Sequence, residues 1–255
     1  MVVDPETLHG KLYFFTPVVL LPMTPTSFLI VLCSIALLSL VAVSLANQRE
    51  IKTRSIRAKL RTLKGKLESM EDLVIKLDKL LESRVIARLI NEEIIDMAEG
   101  MIQLDRDATY LRATLSNAEQ RANELNDEGA YREISRLVES DAQIARYQHA
   151  INEAGLLLKR LHASNKISQA ELETFIGELS WCHLMVETIS IIGQGQKSMK
   201  RKDPVSAQSF YKRARQTLIA SSDSDPRRHR FIKEISELIN NKRTSLSEDL
   251  MHENV

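Results

Sequence analysis

The sequence predicts an all-α protein with a single N-terminal transmembrane helix, a heptad stalk and an antiparallel helical bundle. Three observations carry this. Residues 27–46 (SFLIVLCSIALLSLVAVSLA) hold no charge, glycine or proline. Beyond them, apolar residues recur at alternating spacings of 4 and 3, which puts one apolar seam on a helix. Glycine (8), proline (6) and aromatic residues (5%) are scarce in 255 residues, and no alternating β-branched run is bounded by turn residues.

Residues 1–26 contain Pro17, Pro22 and Pro25, which break any long helix. They are expected to form a short extracytoplasmic N-terminus, with Tyr13 and Phe14 at headgroup level. Met23 is a second candidate start of translation, which would leave residues 1–22 untranslated. Both starts stand.

The transmembrane helix is assigned to 27–46. Twenty residues at about 1.5 Å each give roughly 30 Å, the thickness of a bilayer core. A cleaved signal peptide is the rival, but it wants positive charge before a shorter apolar core. Here the charge follows: residues 47–66 carry eight Lys/Arg against one Glu. The positive-inside rule then leaves the C-terminal body in the cytoplasm at a cell inner membrane, with the N-terminus outside. The basic collar also offers contact with anionic membrane lipid.

The rest of the charge is segregated although the net is only +1. Residues 67–130 are net −8 and residues 197–243 are net +8 by their Lys, Arg, Asp and Glu. Such asymmetry suggests an acidic middle and a basic distal end. The two cysteines, Cys33 and Cys182, lie too far apart in their settings to suggest a disulfide framework.

Residues 47–82 form the collar and heptad helix. Ile56, Leu60, Leu63, Leu67, Met70, Val74, Leu77 and Leu81 make its seam. This seam serves either a parallel homodimer or packing on the next helix of the same chain. Gly65 weakens the helix without stopping it. Glu82 and Ser83 offer a turn and a cap.

Residues 83–163 form a helical heptad region. A second seam runs Ile90, Ile94, Met97, Met101, Leu104, Ala108, Leu111, Leu115, Ala118, Ala122, Leu125. Asp105, Arg106 and Asp107 suggest a turn inside it, with Asp107 as cap, whereas the unbroken register suggests one helix. Both stand. A polar loop follows through Gly129. The next helix is expected over 131–163, since Leu137, Ile144, Ile151 and Leu158 recur every seven residues.

Residues 164–243 are expected to form helical hairpins. Ser168 and Glu171 have the spacing of a capping box, opening a helix that reaches about Lys202. Asp203-Pro204 and Asp225-Pro226 each place an N-cap beside a proline at a helix start. Ser245, Ser247 and Glu248 suggest a last capping box in the tail, 244–255.

Gly195, Ala207, Tyr211 and Ala214 are spaced 12, 4 and 3 apart, with Asp203 between the helices. Small residues let two helices approach, and the aromatic fills the gap. This pattern resembles one tetratricopeptide repeat hairpin over about 190–221. The resemblance implies a protein-binding scaffold and these four residues as hairpin packing. The overall layout is similar to uncharacterised single-pass inner-membrane helical proteins of proteobacteria.

No catalytic, cofactor-binding or metal-ligating residue is assigned, so a non-enzyme is expected. None of His9, His149, His162, His183, His229 and His252 has the paired spacing of a helical zinc site. Cys182 reads as core and His183 as surface. Trp181 reads as core. Gly193-Gln194-Gly195 lies mid-helix without a preceding strand, so it reads as close helix packing rather than a phosphate loop. No carboxylate pair stands out as a buried couple.

The candidate interaction residues are Lys197, Lys200, Arg201, Lys202, Lys212, Arg213, Arg227, Arg228 and Arg230. If the helices fold back on each other, these clusters would share a surface. The expected function is a membrane-anchored scaffold or adaptor with a cytoplasmic protein partner. The alternative is a membrane tether that binds nucleic acid through the basic surface, with salt-sensitive phosphate contacts.

Overall fold

The computed structural model describes residues 25–105, 108–127 and 132–247. Among these residues there are seven helices and no strand. They are α1 (Pro25–Leu80), α2 (Val85–Leu104), α3 (Thr109–Asn126), α4 (Asp141–Ala163), α5 (Gln169–Lys200), α6 (Pro204–Ala220) and α7 (Arg227–Ile239). Several expectations lie outside the described residues: Tyr13 and Phe14 at an interface, a start at Met23, Arg106 and Asp107 as a turn, the end of the polar loop at Gly129, and Glu248 in a capping box. His9 and His252 also lie outside them.

The chain divides into two compact units at Arg57 and Ala58, inside α1. In the first unit, the apolar side chains from Leu32 to Leu45 are exposed. By length and composition α1 and α5 are both apolar enough to cross a membrane, but their surroundings differ. None of the most apolar 18-residue stretch of α1 is buried, whereas 67% of that of α5 is.

The second unit has two hydrophobic cores. The heptad seam lies in the first from Leu60 onward, while Ile56 is exposed. Leu60, Leu67, Met70, Val74, Leu77 and Leu81 are buried there, with Leu73 and Leu80 added, while Leu63 is partly covered. The seam is therefore used within the chain. Neighbouring it are Ile90, Ile94, Met101, Leu111, Ala118 and Leu125 of α2 and α3. These two helices are separate. The chain breaks after Leu104, which turns out to be exposed despite its place in the spacing.

The helix order follows from cross-contacts. Asn91 Nδ2 donates to the Ala118 carbonyl at 2.8 Å and Arg84 donates to the Glu124 carbonyl, so α2 and α3 are antiparallel. Lys64 sits over the Tyr110 ring at 4.9 Å and Glu71 faces Arg121 at 3.9 Å, so α1 and α3 run the same way. Gln194 pairs with Asp141 and Gln148 with Glu187, which makes α4 and α5 an antiparallel hairpin.

The second core joins Trp181, Leu184, Met185, Ile189, Ile191 and Ile192 of α5 to Ala207, Tyr211, Ala214 and Leu218 of α6 and Phe231, Ile235 and Leu238 of α7. Meanwhile Phe175, Leu179, Cys182 and Val186 of α5 face the first core. One helix serving two cores must be apolar on most of its circumference. That requirement accounts for the membrane-like composition of α5.

Local signals set the helix ends. The Ser168–Glu171 capping box is present in both directions. The Asp203 side chain accepts the Ser206 N–H at 3.0 Å, and Asp225 accepts the Arg227 N–H at 2.8 Å. Ser83 Oγ accepts the Val85 N–H at 3.1 Å at the start of α2. Asn165, Lys202 and Asn241 close α4, α5 and α7 with φ of 58°, 62° and 54°. At each, the following N–H reaches back to a carbonyl five residues earlier, the pattern of a Schellman end.

One boundary needs correction. The helix expected over 131–163 begins only at Asp141, where Ser140 caps it by accepting the Gln143 N–H. Residues 132–138 are a strap with neither helix nor strand. Leu137 keeps the seven-residue spacing by coincidence and packs from the strap against Gly193, leaving no room for a Cβ there.

Candidate functional site

The strap meets the C-terminus of α1, where many hydrogen bonds and ion pairs gather. The last carbonyls of a helix have no partner within it. Here the strap supplies partners. The Ser135 N–H donates to the Lys79 carbonyl at 2.9 Å. Arg136 Nε donates to the Leu80 carbonyl at 2.9 Å. Arg132 donates to the Asp78, Leu81 and Glu82 carbonyls and to the Asp78 carboxylate. The Cys182 thiol adds a weak bond to Leu80 at 3.6 Å. The strap is in turn fixed to α5, where Ser190 Oγ accepts the Val138 N–H and donates to the Arg136 carbonyl.

Charges from four parts of the chain converge here. Arg136 is only 4% exposed and reaches Glu82 at 3.1 Å. Arg227, at the start of α7, binds the same Glu82 at 2.9 Å and Asp225 at 2.9 Å. Its guanidinium lies 4.7 Å from the centre of the Trp181 ring, which meets Phe231 edge-on at 6.3 Å. Glu178 accepts the Ser83 N–H at 3.2 Å. Glu82, Arg136, Glu178, Trp181, Asp225 and Arg227, together with Leu81, Gly177 and Cys182, line a cavity of about 230 Å³.

The two glutamates are pushed apart in acidity. Burial raises the Glu178 pKa, and the nearby Glu82 charge adds to that against the Ser83 hydrogen bond. Burial would raise Glu82 too, but the Arg136 and Arg227 charges and hydrogen bonds outweigh it and hold Glu82 low. Burial pushes the Cys182 thiol up to about 12, so it is not a thiolate nucleophile near neutrality. Burial also lowers the pKa of half-buried His183. A carboxylate couple was not evident in the sequence. Glu82 and Glu178 lie 96 positions apart, and neither has a distinctive sequence context. Chemically, the arrangement ties α1, the strap, α5 and α7 together.

A buried carboxylate, Glu234, holds the C-terminal segment. Glu234 is 4% exposed and accepts from Arg230 at 3.1 Å, from Arg243 at 2.6 Å and from the Ser247 N–H at 2.9 Å. Burial alone would raise its pKa, but the Ser247 hydrogen bonds and the Arg243 charge keep it low.

The nine candidate interaction residues fall into three groups that do not merge. Lys197, Lys200, Arg201 and Lys202 sit at the α5–α6 turn, with Lys197 paired to Glu139 at 2.8 Å. Lys212 and Arg213 are exposed on the outer side of α6. Arg227, Arg228 and Arg230 lie near the other end of the α5–α6 hairpin. Arg227 is held at Trp181, sixteen residues or about 24 Å back along α5 from Lys197. Arg228 donates to the Leu218 and Ser221 carbonyls at the end of α6. Arg230 serves Glu234. The last three therefore stabilise the fold, and the expected common surface does not form.

All four hairpin residues are buried, Gly195 and Tyr211 in direct apposition. A Cβ on Gly195 would lie 2.6 Å from Tyr211 Cε1, so the glycine is required for this approach of α5 and α6. Ala207 and Ala214 flank the contact in the second core. Among the described residues, no group of three or more His, Cys, Asp or Glu side chains is placed to hold a metal ion. Comparison with family models, with curated proteins and with solved structures yields no match.

Proposed function

We propose that the chain is a single-pass membrane-anchored helical scaffold, its span at 27–46 and its second unit a platform for a protein partner in the cytoplasm. The observation that carries the anchor is the contrast between the two apolar helices. The apolar stretch of α1 is unburied, as a lipid-facing helix requires, while α5 has its own core around it. The basic run after the span supports the orientation, N-terminus out. The scaffold role rests on the paired helices of the second unit and on the close Gly195–Tyr211 packing, which favours a tetratricopeptide-like hairpin.

Two measurements test this. An anchored chain stays with the membrane pellet through alkali and high salt, and release by either refutes the anchor. Affinity capture of the detergent-extracted full chain should enrich the same protein repeatedly. Reproducible absence of any enriched protein refutes the scaffold role.

A further inference from the structure

We infer that the outer face of α6, with the α5–α6 turn, binds an acidic amphipathic peptide segment of a partner protein. The inference deepens the scaffold reading and rests on it. At about 100° per residue, Val205, Lys212, Gln216 and Ile219 fall within about 60° of one another on α6. The buried set Ala207, Tyr211, Ala214 and Leu218 lies on the opposite side. The stripe is thus the side of α6 turned away from the second core. Val205 is 79% exposed and Ile219 49% exposed. They stand fourteen residues, or about 21 Å, apart along the helix.

Between and beside these apolar ends lie cations. Lys212 and Arg213 are exposed in the middle of α6. Lys200, Arg201 and Lys202 are exposed at the turn, next to Met199, which is 47% exposed. None of these five cations has an ion-pair partner among the described residues. Four other cations of the distal region are held in ion pairs: Lys197 by Glu139, Arg227 by Glu82 and Asp225, and Arg230 and Arg243 by Glu234.

The complement of this face is negative in the middle and at one end, with apolar groups about 21 Å apart. A nucleic-acid backbone answers the cations but leaves Val205, Ile219 and Met199 in water. It would also find no exposed aromatic ring on the stripe to stack a base, since Tyr211 is buried and Phe210 is partly covered by the second core. An acidic segment with apolar anchors answers both features, in the manner of peptide recognition by matched charge and spaced hydrophobic contacts.

The full chain in nanodiscs tests this by fluorescence anisotropy. The probe is a labelled Glu/Leu peptide of about 16 residues, with leucines spaced to meet Val205 and Ile219 along a helix. Polyglutamate of the same length, a DNA duplex of about 16 base pairs and empty nanodiscs are the comparisons. Expected is saturable binding of the Glu/Leu peptide, weakened about tenfold by K200Q/R201Q/K202Q and about tenfold by V205S/I219S. Both variants change exposed residues, and unchanged circular dichroism confirms their fold.

No binding, or binding indifferent to both variants, overturns the inference. Equal binding of polyglutamate overturns the apolar part. Tighter binding of DNA gives the face to nucleic acid instead. A salt-reversible dimer of the chain that is lost in the triple variant gives it to a second copy. A chain that binds the peptide without entering the nanodisc keeps this inference and refutes the anchor. One that enters the disc and binds nothing refutes this inference alone.

Discussion

Replacing Arg136 with Met removes the centre of the strap junction while keeping most of the side-chain volume. Arg136 is 4% exposed, donates to the Leu80 carbonyl at 2.9 Å and reaches Glu82 at 3.1 Å. Breaking a buried ion pair by deleting one partner costs about 3–5 kcal/mol, because the other charge is left without compensation. Here the Glu82 side chain is 39% exposed and keeps Arg227, and the Leu80 carbonyl keeps the weak Cys182 bond, so the cost falls to about 1–3 kcal/mol. Trp181 is the only tryptophan and lines the same cavity. Its fluorescence therefore reports the opening of this junction directly. Denaturant titration of the full chain in mild detergent should show the midpoint falling for R136M. A loss below about 0.5 kcal/mol would refute the view that the strap holds the end of α1.

Other positions give contrasting outcomes. Gly195→Ala forces Tyr211 to move and should cost about 1–3 kcal/mol by denaturant titration, and adding Tyr211→Leu should cost less than the sum of the two single changes. Glu178→Gln should stabilise the chain at neutral pH, because the raised folded-state pKa means the buried charge opposes folding above the unfolded value. The gain should fade as the pH drops below the unfolded glutamate pKa, where Glu178 is protonated in both states. The paired carboxylates behave oppositely. Glu82 and Glu234 have lowered folded pKa values, so their contribution is present above the unfolded glutamate value and is lost as pH falls through the folded values. E82Q and E234Q should each flatten the acid side of the stability profile. Lys166→Ala breaks bonds to Glu93 and Asp96 but should cost less than about 1 kcal/mol, since the lysine is about half exposed.

Much of the helical layout is legible in the sequence, because helix ends carry short local signals. The Ser168–Glu171 box and the Asp203-Pro204 start need only a few adjacent residues, and the heptad at Leu60 to Leu81 needs only its own spacing. The strap fails this test. Leu137 continues the spacing of Ile144 and Ile151, so periodicity extends the helix backwards through it. The contrary signal was Ser140 followed by Gln143, a cap whose weight appears only when Arg132 and Arg136 are seen bound to the end of α1. The break after Leu104 was equally balanced, because the apolar register runs on across it. The two cores were not legible either, since a helix serving both has the composition of a membrane span. The junction of Glu82, Arg136, Glu178 and Arg227 depends on contacts across as many as 145 positions, which no local pattern encodes. For the basic residues, the sequence located the charges but not their occupancy, which separates Arg227, Arg228 and Arg230 from Lys200, Arg201 and Lys202.

The anchor is tested most directly by cysteine accessibility in intact cells. Cys33 is replaced by Ser, and buried Cys182 is left in place as a thiol of low reactivity. Single cysteines are then introduced at Ser27 and at Ser164, at the two sides of the proposed arrangement. A membrane-impermeant maleimide should label position 27 from outside the cell and label position 164 only after permeabilisation. Labelling of position 164 in intact cells, or recovery of the chain as a soluble protein, would contradict a span at residues 27–46 with the helical body in the cytoplasm.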